Sequence, residues 1–301
     1  MFRLAHLSDP HLGPMPKARL SELASKRVLG YLNWHMHRGR GMMQAASLDA
    51  IIADIHQVAP DHVTVTGDLI NIGLPGEFAR SRAWLSRVGS PDAVSVIPGN
   101  HDAYVRSTLP AALAAWGDYA KGDTKPETSR AQFPYLRRRG DIALIGVSSA
   151  IATGPFMATG LVDDDQLKRL ADLLHDTGRD GLCRILLLHH MPIDGLTKWK
   201  SRLLQADRFR VVISKSGAEL ILHGHTHRAS THWIGGPQRP VPVIGTQAAS
   251  LQSSPDKRGA GWNLFEISGG PDNWRIAHIE RGFAPGATGI QELSRTELNA
   301  P

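Results

Sequence analysis

Short runs of β-branched residues and leucine alternate along this chain with longer stretches in which apolar residues recur every three or four positions. The short runs have the length of buried strands, and the longer stretches have the period of amphipathic helices. This alternation is typical of βαβ units and predicts an α/β fold. The predicted strands are residues 2–7, 62–66, 94–97, 142–148, 184–189, 220–222, 231–233, 241–244, 263–267 and 275–279, and the predicted helices are residues 46–58, 77–88, 108–120, 164–176 and 200–206.

The last five predicted strands follow one another with almost no helical pattern between them, so we expect the second half to close with antiparallel strands. After Arg281 the chain turns to Gly, Pro, Ala and Thr, which predicts a loosely ordered tail over residues 282–301. Glycine and proline are otherwise spread through the chain and mark no linker. We therefore expect one domain over residues 1–281.

Several classes of protein are excluded by simple counts. No apolar run approaches the roughly 20 residues that cross a bilayer, so the sequence predicts no transmembrane helix. The first residues run straight into a strand pattern without the features of a signal peptide. A single cysteine, Cys183, cannot form an internal disulfide, which is typical of a reducing compartment. These features together predict a cytoplasmic protein.

Five short polar clusters stand at the carboxyl ends of predicted strands, where open α/β sheets bind their ligands. Imidazole, carboxylate and amide groups together are typical ligands of divalent metals such as Mn, Fe and Zn. If one carboxylate is shared, seven such residues supply four bonds to each of two ions. The clusters are Asp9-Pro10-His11, Gly67-Asp68-Leu69-Ile70-Asn71, Gly99-Asn100-His101-Asp102, His189-His190 and Gly224-His225-Thr226-His227.

The ordered set of clusters resembles the signature of the calcineurin-like metallophosphoesterases. That signature is Asp-x-His, Gly-Asp, Gly-Asn-His-Asp/Glu, a strand-end His and Gly-His-x-His, and here it extends from Asp9 to His227. The resemblance implies an α/β fold made of a two-layered mixed β-sandwich flanked by helices. It also implies a binuclear metal-dependent phosphodiesterase, in which a hydroxide bridging two ions attacks a phosphodiester or pyrophosphate.

The resemblance also implies a role for each residue of the clusters. His101 would be catalytic at a phosphate oxygen or the leaving group, and Asp102 would orient its imidazole. His189 is preferred to His190 because the first histidine of a His-x-x-Pro block is the ligand in the family. Asp9, His11 and His227 would hold the first ion, Asn100, His189 and His225 the second, and Asp68 would bridge the two.

A basic amphipathic insertion occupies about residues 14–43, between the first two clusters. The whole chain has 34 Lys and Arg against 28 Asp and Glu, a net charge of +6, and six of those basic residues lie between Lys17 and Arg40 with Glu22 as the one acid. Apolar residues such as Leu20, Val28 and Leu32 recur at near-helical spacing, broken by Gly30. The pattern predicts an interfacial segment, a cap packed on the domain, or both, as one helix or two.

Within the insertion, Ser25-Lys26-Arg27 followed by Gly30 and Asn33-Trp34 resembles bacterial family members that act on lipid phosphodiesters. These are phospholipase C-type enzymes and UDP-diacylglucosamine pyrophosphatases. The resemblance implies an anionic lipid substrate and a peripheral contact with the inner membrane. Residues predicted to contact the substrate are Lys26, Arg27, Trp34 and Arg38.

Two other functions remain open at this stage. A cyclic-nucleotide phosphodiesterase shares the Gly-Asn-His-Asp block. A metal-binding scaffold without catalysis is less favoured because every expected ligand is present. No nucleic-acid partner is expected, since the basic residues are not interleaved with aromatic ones in a long groove.

Overall fold

The structure is a computed structural model that describes residues 1–38, 42–124, 132–271 and 273–298, without the side chains of residues 37, 38 and 42–44. The ten predicted strands are present, with ends shifted by up to four residues, and further strands join them. The strands are β1 (Phe2–Leu7), β2 (His62–Val65), β3 (Val94–Val96), β4 (Tyr135–Arg139), β5 (Ile142–Gly146), β6 (Gly160–Leu161), β7 (Cys183–Leu188), β8 (Leu203–Leu204), β9 (Leu220–His223), β10 (Ser230–Ile234), β11 (Val241–Gly245), β12 (Gly261–Ser268), β13 (Arg275–Phe283) and β14 (Ile290–Glu297).

Two six-stranded mixed sheets face each other. The first has the order β14-β13-β12-β1-β2-β3, and the second has the order β10-β11-β9-β7-β5-β4. Strands β1, β2 and β3 run parallel, as do β5, β7, β9 and β11, and the outer pairs are antiparallel. The expected antiparallel end is present in β10–β11 and β12–β13, whereas β9 pairs parallel with both of its neighbours.

Helices cover both outer faces. Three apolar layers result, one between the first sheet and α2 to α4, one between the two sheets, and one between the second sheet and α5 and α6. The predicted two-layered mixed β-sandwich flanked by helices is therefore confirmed. The helices are α1 (Arg27–Asn33), α2 (Met42–Val58), α3 (Pro75–Val88), α4 (Thr108–Trp116), α5 (Asp164–Arg179) and α6 (Ala206–Ser216).

The predicted helix over residues 200–206 is wrong. Strand β8 lies inside that range, and Gln205 has a left-handed backbone (φ 55°), which helical residues do not adopt. Helix α6 begins only at Ala206. Its buried Phe209 and Ile213 are four residues apart and pack towards the second sheet.

The prediction of a loosely ordered tail is also wrong for most of its length. Strand β14 pairs antiparallel with β13, from Ile290 opposite Phe283 to Glu297 opposite Ala277. Most of its side chains are exposed, so backbone hydrogen bonds hold it, together with an ion pair between Arg295 and Glu266 at 2.8 Å. An edge strand of this kind needs no apolar alternation.

No helix within the described ranges is both long and apolar enough to span a bilayer.

Candidate metal centre

The candidate ligands lie in loops that follow β1, β2, β3, β7 and β9, and most of them are held in an unusual backbone conformation. Residues other than glycine rarely adopt a positive φ, and such strain persists where the surrounding structure enforces it. The loops after β1 and β2 are joined by their backbones, since the Asp9 and His11 amides donate to the carbonyls of Gly67 and Asp68. The ligands with positive φ are Asp9 (55°), His11 (40°), Asp68 (58°), His225 (64°) and His227 (55°).

Glycine allows the loops after β2 and β3 to approach each other closely. Gly67 has φ 92°, and a Cβ there would lie 2.5 Å from the amide nitrogen of Gly99 and 2.8 Å from Nδ1 of His189. Any side chain would therefore separate the two loops or displace the imidazole. Tight packing at this position brings Asp68 and Asn100 towards the same point.

Asp9, His11 and His227 form the first group of ligand atoms. All their ligand atoms lie within 4.8 Å of one another. Oδ1 of Asp9 is 3.1 Å from Nε2 of His227 and 3.9 Å from Nε2 of His11. One cation can therefore contact all three side chains.

Asp68, His189 and His225 form the second group, again with ligand atoms within 4.8 Å of one another. Oδ2 of Asp68 is 3.4 Å from Nε2 of His189, and Oδ1 of Asn100 is 3.2 Å from the same nitrogen. The same Asp68 oxygen is 3.8 Å from Nε2 of His11 in the first group. Asp68 thus lies between the two groups.

Hydrogen bonds to carbonyl groups fix which imidazole nitrogen faces the centre. Nδ1 of His189 donates to the carbonyl of Thr66 at 2.6 Å, which leaves Nε2 to face the centre. Nε2 of His225 donates to the carbonyl of Ser201 at 2.9 Å, which leaves Nδ1. His190 points elsewhere, with Nδ1 2.7 Å from the Ser149 hydroxyl and Nε2 3.1 Å from the Ala158 carbonyl.

The two carboxyl groups are buried but ionised. Burial by itself raises the pKa of Asp9, but the neighbouring His227 outweighs it, so that the pKa falls below its ordinary value. The pKa of Asp68 is likewise lowered, chiefly by His189 against the effect of burial. Burial lowers the pKa of His189, yet the Asp68 carboxylate raises it to about 9. Buried carboxylates surrounded by imidazoles and an amide are a donor set that fits divalent cations.

His101 also reaches the centre, but Asp102 does not orient it as expected. A ring nitrogen of His101 lies within 4.8 Å of ligand atoms of His11 and Asp68. Its Nδ1 lies 2.6 Å from the carbonyl of Asn71, so this backbone group orients the ring. The fully buried Asp102 instead accepts three backbone N–H bonds at 2.7–2.9 Å, from Asp68, Ile70 and Gly99. Asp102 therefore joins the loops that carry the ligands.

The predicted substrate contacts have different environments. Arg27 donates to the carbonyls of Ile72 and Gly73, and Trp34 is 6% exposed and packs with Met15 and Ile72, so both hold the insertion on the domain. Nζ of Lys26 lies 4.3 Å from the centre of the Tyr104 ring and 2.8 Å from the Thr153 carbonyl. The Tyr104 ring in turn stacks on His101, with centroids 5.9 Å apart. The side chain of Arg38 lies outside the described residues.

Several residues that organise the centre were missed by the sequence analysis. Thr66, Asn71 and Ser201 act through backbone carbonyls, which leave no signature in a sequence. Glu77 is buried and accepts N–H bonds from Asn71 and Leu74, both at 2.8 Å, which fixes the loop beside His101. Glu77 had a signal in the sequence. A proline at position 75 is typical of the first residue of a helix, and a glutamate two residues later is typical of a helix cap.

Comparison with known proteins agrees with this geometry. The family model for calcineurin-like phosphoesterase matches residues 2–229. A probable cyclic nucleotide phosphodiesterase of Synechococcus is 27% identical over 276 residues, which cover 90% of this chain and 89% of that protein. A dimetal phosphatase from Danio rerio has a similar structure, with a TM-score of 0.60, 11% identity and coverage of 98% of this chain and 99% of that one. GAP50, the anchor in the inner membrane complex of Plasmodium, is similar with a TM-score of 0.53, 12% identity and coverage of 100% and 89%.

Proposed function

Because this chain belongs to the calcineurin-like phosphoesterase family, whose members are metal-dependent phosphoester hydrolases, we propose that its centre hydrolyses a phosphodiester with two divalent ions. Asp9, His11 and His227 would hold one ion, and Asn100, His189 and His225 the other. Manganese, iron or zinc suits this donor set. Bound in this way, such ions lower the pKa of water to about 7 and stabilise charge on phosphate oxygens.

The main observation that supports this proposal is the position of Asp68. Its Oδ2 atom is 3.8 Å from the His11 nitrogen of one group and 3.4 Å from the His189 nitrogen of the other. A single carboxylate oxygen facing two sets of ligands is the arrangement expected of a bridge between two ions. Asp9 and Asp68 supply two negative charges against four from the ions, so the loaded centre stays cationic and attracts a phosphodiester anion.

His101 is the residue of this chain best situated to act on the substrate itself. With Nδ1 bonded to the Asn71 carbonyl, its Nε2 is left for the centre. From there an imidazolium can donate a proton to the departing oxygen or hold a phosphate oxygen. Stacking on Tyr104 keeps the ring in this orientation.

Removal of a shared ligand tests the proposal. Asp68→Ala and Asn100→Ala should abolish manganese-dependent hydrolysis of bis(p-nitrophenyl) phosphate, while circular dichroism shows an unchanged fold. Asp49→Ala is the control, because Asp49 is exposed and pairs with Arg87 on the surface. Substantial activity in Asp68→Ala would contradict the assignment.

We further propose a lipid phosphodiester as the substrate, from the side chains that surround the centre. The cap, which we define as residues 14–38, leaves Val28, Leu29, Leu32 and Met36 between 40% and 69% exposed on α1 and the turn after it. The loop that bonds to Lys26 through Thr153 also exposes Phe156 (79%).

Trp199 lies on a neighbouring loop, where the Lys200 carbonyl accepts from the amide of Ala158 at 2.8 Å. It is 61% exposed, and its loop bonds to His225 through Ser201. Exposed apolar side chains on loops that bond to residues of a cationic centre suit acyl chains next to a phosphate, and they would allow peripheral contact with a membrane.

Replacement of exposed cap residues tests the lipid substrate. The double variant Leu29→Ser with Leu32→Ser should lower hydrolysis of phospholipid in vesicles several-fold and leave hydrolysis of the soluble aryl diester unchanged. Val211→Ser is the matched control, since Val211 is 49% exposed on α6. Equal losses on both substrates would show that these leucines serve only the packing of the cap.

A cyclic nucleotide is the second candidate substrate. It is favoured by the similarity to the probable cyclic nucleotide phosphodiesterase of Synechococcus, which extends over 90% of this chain. A panel of phosphatidylcholine micelles, UDP-diacylglucosamine and cyclic AMP, each with manganese, separates the candidates. Preference for cyclic AMP would replace the lipid proposal, and metal binding without hydrolysis of any of them would indicate a scaffold.

A further inference from the structure

A row of buried polar side chains crosses the inner face of the first sheet below the metal centre. It consists of His278 on β13, Asn263 on β12, His6 on β1 and Thr66 just after β2, each at most 4% exposed. Apolar residues of this face pack against the second sheet, and the further buried polar residues His62, Thr64 and Ser95 lie on β2 and β3. Polar groups in such a layer destabilise the fold unless each is hydrogen-bonded.

The hydrogen bonds along this row have a single consistent direction. Nδ2 of Asn263 lies 3.3 Å from the carbonyl of Gly245, which can only accept, so the amide orientation is fixed. Oδ1 of Asn263 therefore accepts from Nε2 of His278 at 3.0 Å, and Nδ2 donates to Nδ1 of His6 at 3.3 Å. His6 must then carry its proton on Nε2, which donates to the Thr66 hydroxyl at 2.9 Å.

Burial keeps both imidazoles of the row neutral, which this pattern requires. The pKa of His6 is lowered to about 3 by burial and by His223 and His278, and burial lowers that of His278 to about 4. Each ring thus has one donor and one acceptor at neutral pH.

Thr66 connects the row to the metal centre. Its carbonyl accepts from Nδ1 of His189 at 2.6 Å and from the hydroxyl of Ser8 at 3.0 Å. The other nitrogen of His189 faces Asp68 and Asn100. Partners of this kind fix the tautomer and the angle of a ligand histidine.

We propose that His6 and Asn263 are positioning residues that hold Thr66, and through it His189, in the geometry that binds the second ion. This inference rests on the two-ion centre proposed above. An apolar row of similar volume would stabilise the sheet interface at least as well, so a role in stability alone gives no reason for polar residues here. Their position directly behind one ligand gives that reason.

The experiment is a calorimetric titration of the metal-free protein with manganese, with urea unfolding of each metal-free variant alongside. His6→Leu and Thr66→Val remove the hydrogen bond at little change of volume, and His6→Gln keeps a donor near the position of Nε2. His62→Leu is the matched control. His62 is equally buried on β2, and its Nε2 bonds to the Ser95 hydroxyl at 2.7 Å, away from any ligand.

We expect His6→Leu and Thr66→Val to weaken one of two manganese-binding steps about 10- to 100-fold and to leave the other within about threefold. His6→Gln should recover most of that loss. His62→Leu should lower the free energy of unfolding with both steps unchanged. Thr66→Val replaces only the hydroxyl with a methyl group, so its manganese binding tests the inference even if His6→Leu does not fold.

Two results would overturn the inference. Parallel weakening of both steps in His6→Leu and His62→Leu would show a purely structural role, as would unchanged manganese binding in Thr66→Val. Titration of the unmodified protein distinguishes failure of this inference from failure of the two-ion centre. If the unmodified protein binds fewer than two manganese ions, the proposed function is refuted.

Discussion

The Nε2 atoms of His11 and His227 lie 3.3 Å apart, although 216 positions separate the two residues in the chain. Oδ1 of Asp9 is 3.1 Å from the second of these nitrogens. At this spacing the two imidazole nitrogens and the carboxylate oxygen need either a hydrogen or a metal ion between them. Replacement of His227 is therefore a sensitive test of whether the first ion binds at this position.

Replacement of His227 should remove one ion and leave the other. His227→Ala should bind one manganese where the unmodified protein binds two, as measured by titration and elemental analysis. Aryl diester hydrolysis should fall by more than about 100-fold, because removal of a metal ligand lowers activity more than removal of a residue that only hydrogen-bonds to a ligand. His175→Ala, at an exposed position of α5, is the control and should behave as the unmodified protein. Two ions in His227→Ala would contradict the assignment.

Replacement of His101 should slow catalysis without loss of metal. We expect His101→Gln to keep two ions and to lose roughly 10²- to 10⁴-fold in kcat, the usual effect of removing a general acid. The loss should be greater for an alkyl leaving group than for nitrophenolate, which departs without a proton. A loss that is equal for both leaving groups would assign His101 to holding a phosphate oxygen instead.

Replacement of Asp102 should affect stability first. Asp102→Asn puts an N–H donor in place of one carboxyl oxygen, either the one that accepts from Asp68 and Gly99 at 2.7 and 2.8 Å or the one that accepts from Ile70 at 2.9 Å. At least one buried backbone N–H is then left unpaired. The free energy of unfolding of the metal-free protein should fall by roughly 1–3 kcal/mol in urea. Asp118→Asn, whose carboxylate is 78% exposed, should change it little. Unchanged stability in Asp102→Asn would show that these bonds do not hold the loops.

Stability should fall on acidification, and His62 allows the effect to be measured away from the metal centre. Burial and, secondly, the charges of Arg139 and Arg137 lower the pKa of His62 to about 3 from an ordinary value of 6.5. Between these values the unfolded chain binds a proton that the folded protein does not. The free energy of unfolding should therefore decrease as pH falls below 6.5, by about 1.4 kcal/mol per pH unit from this residue. In urea unfolding of the metal-free protein between pH 7 and 5, His62→Gln should show a correspondingly shallower slope, and an identical slope would contradict the argument.

The parallel strands and the ligand clusters could be predicted because both leave local patterns. Strand β7 reads as a nearly continuous apolar run, and the short apolar runs of β1 and β2 are interrupted by buried polar residues such as His6 and Thr64. Asp9, Asp68 and His189 follow such runs directly, and the rule that sites lie at the carboxyl ends of strands brings them together. The choice of His189 over His190 agrees with the direction in which each ring points.

The remaining features depend on contacts that are distant in sequence. Strand β14 is an exposed edge, so it shows no apolar alternation. Strand β4 reads Tyr-Leu-Arg-Arg-Arg, yet Arg137 is 3% exposed because carbonyls of two other segments, residues 91–94 and 118–121, accept its guanidinium protons. The role of Asp102 was missed for the same reason, since two of its three partners are the backbone amides of Asp68 and Ile70 in another loop.

Anomalous diffraction from crystals soaked in manganese tests the central claim most directly. We predict two peaks on either side of the Asp68 carboxylate, one contacting Asp9, His11 and His227 and the other contacting Asn100, His189 and His225. A single peak, peaks at other residues, or no peak would contradict a two-ion phosphodiesterase centre.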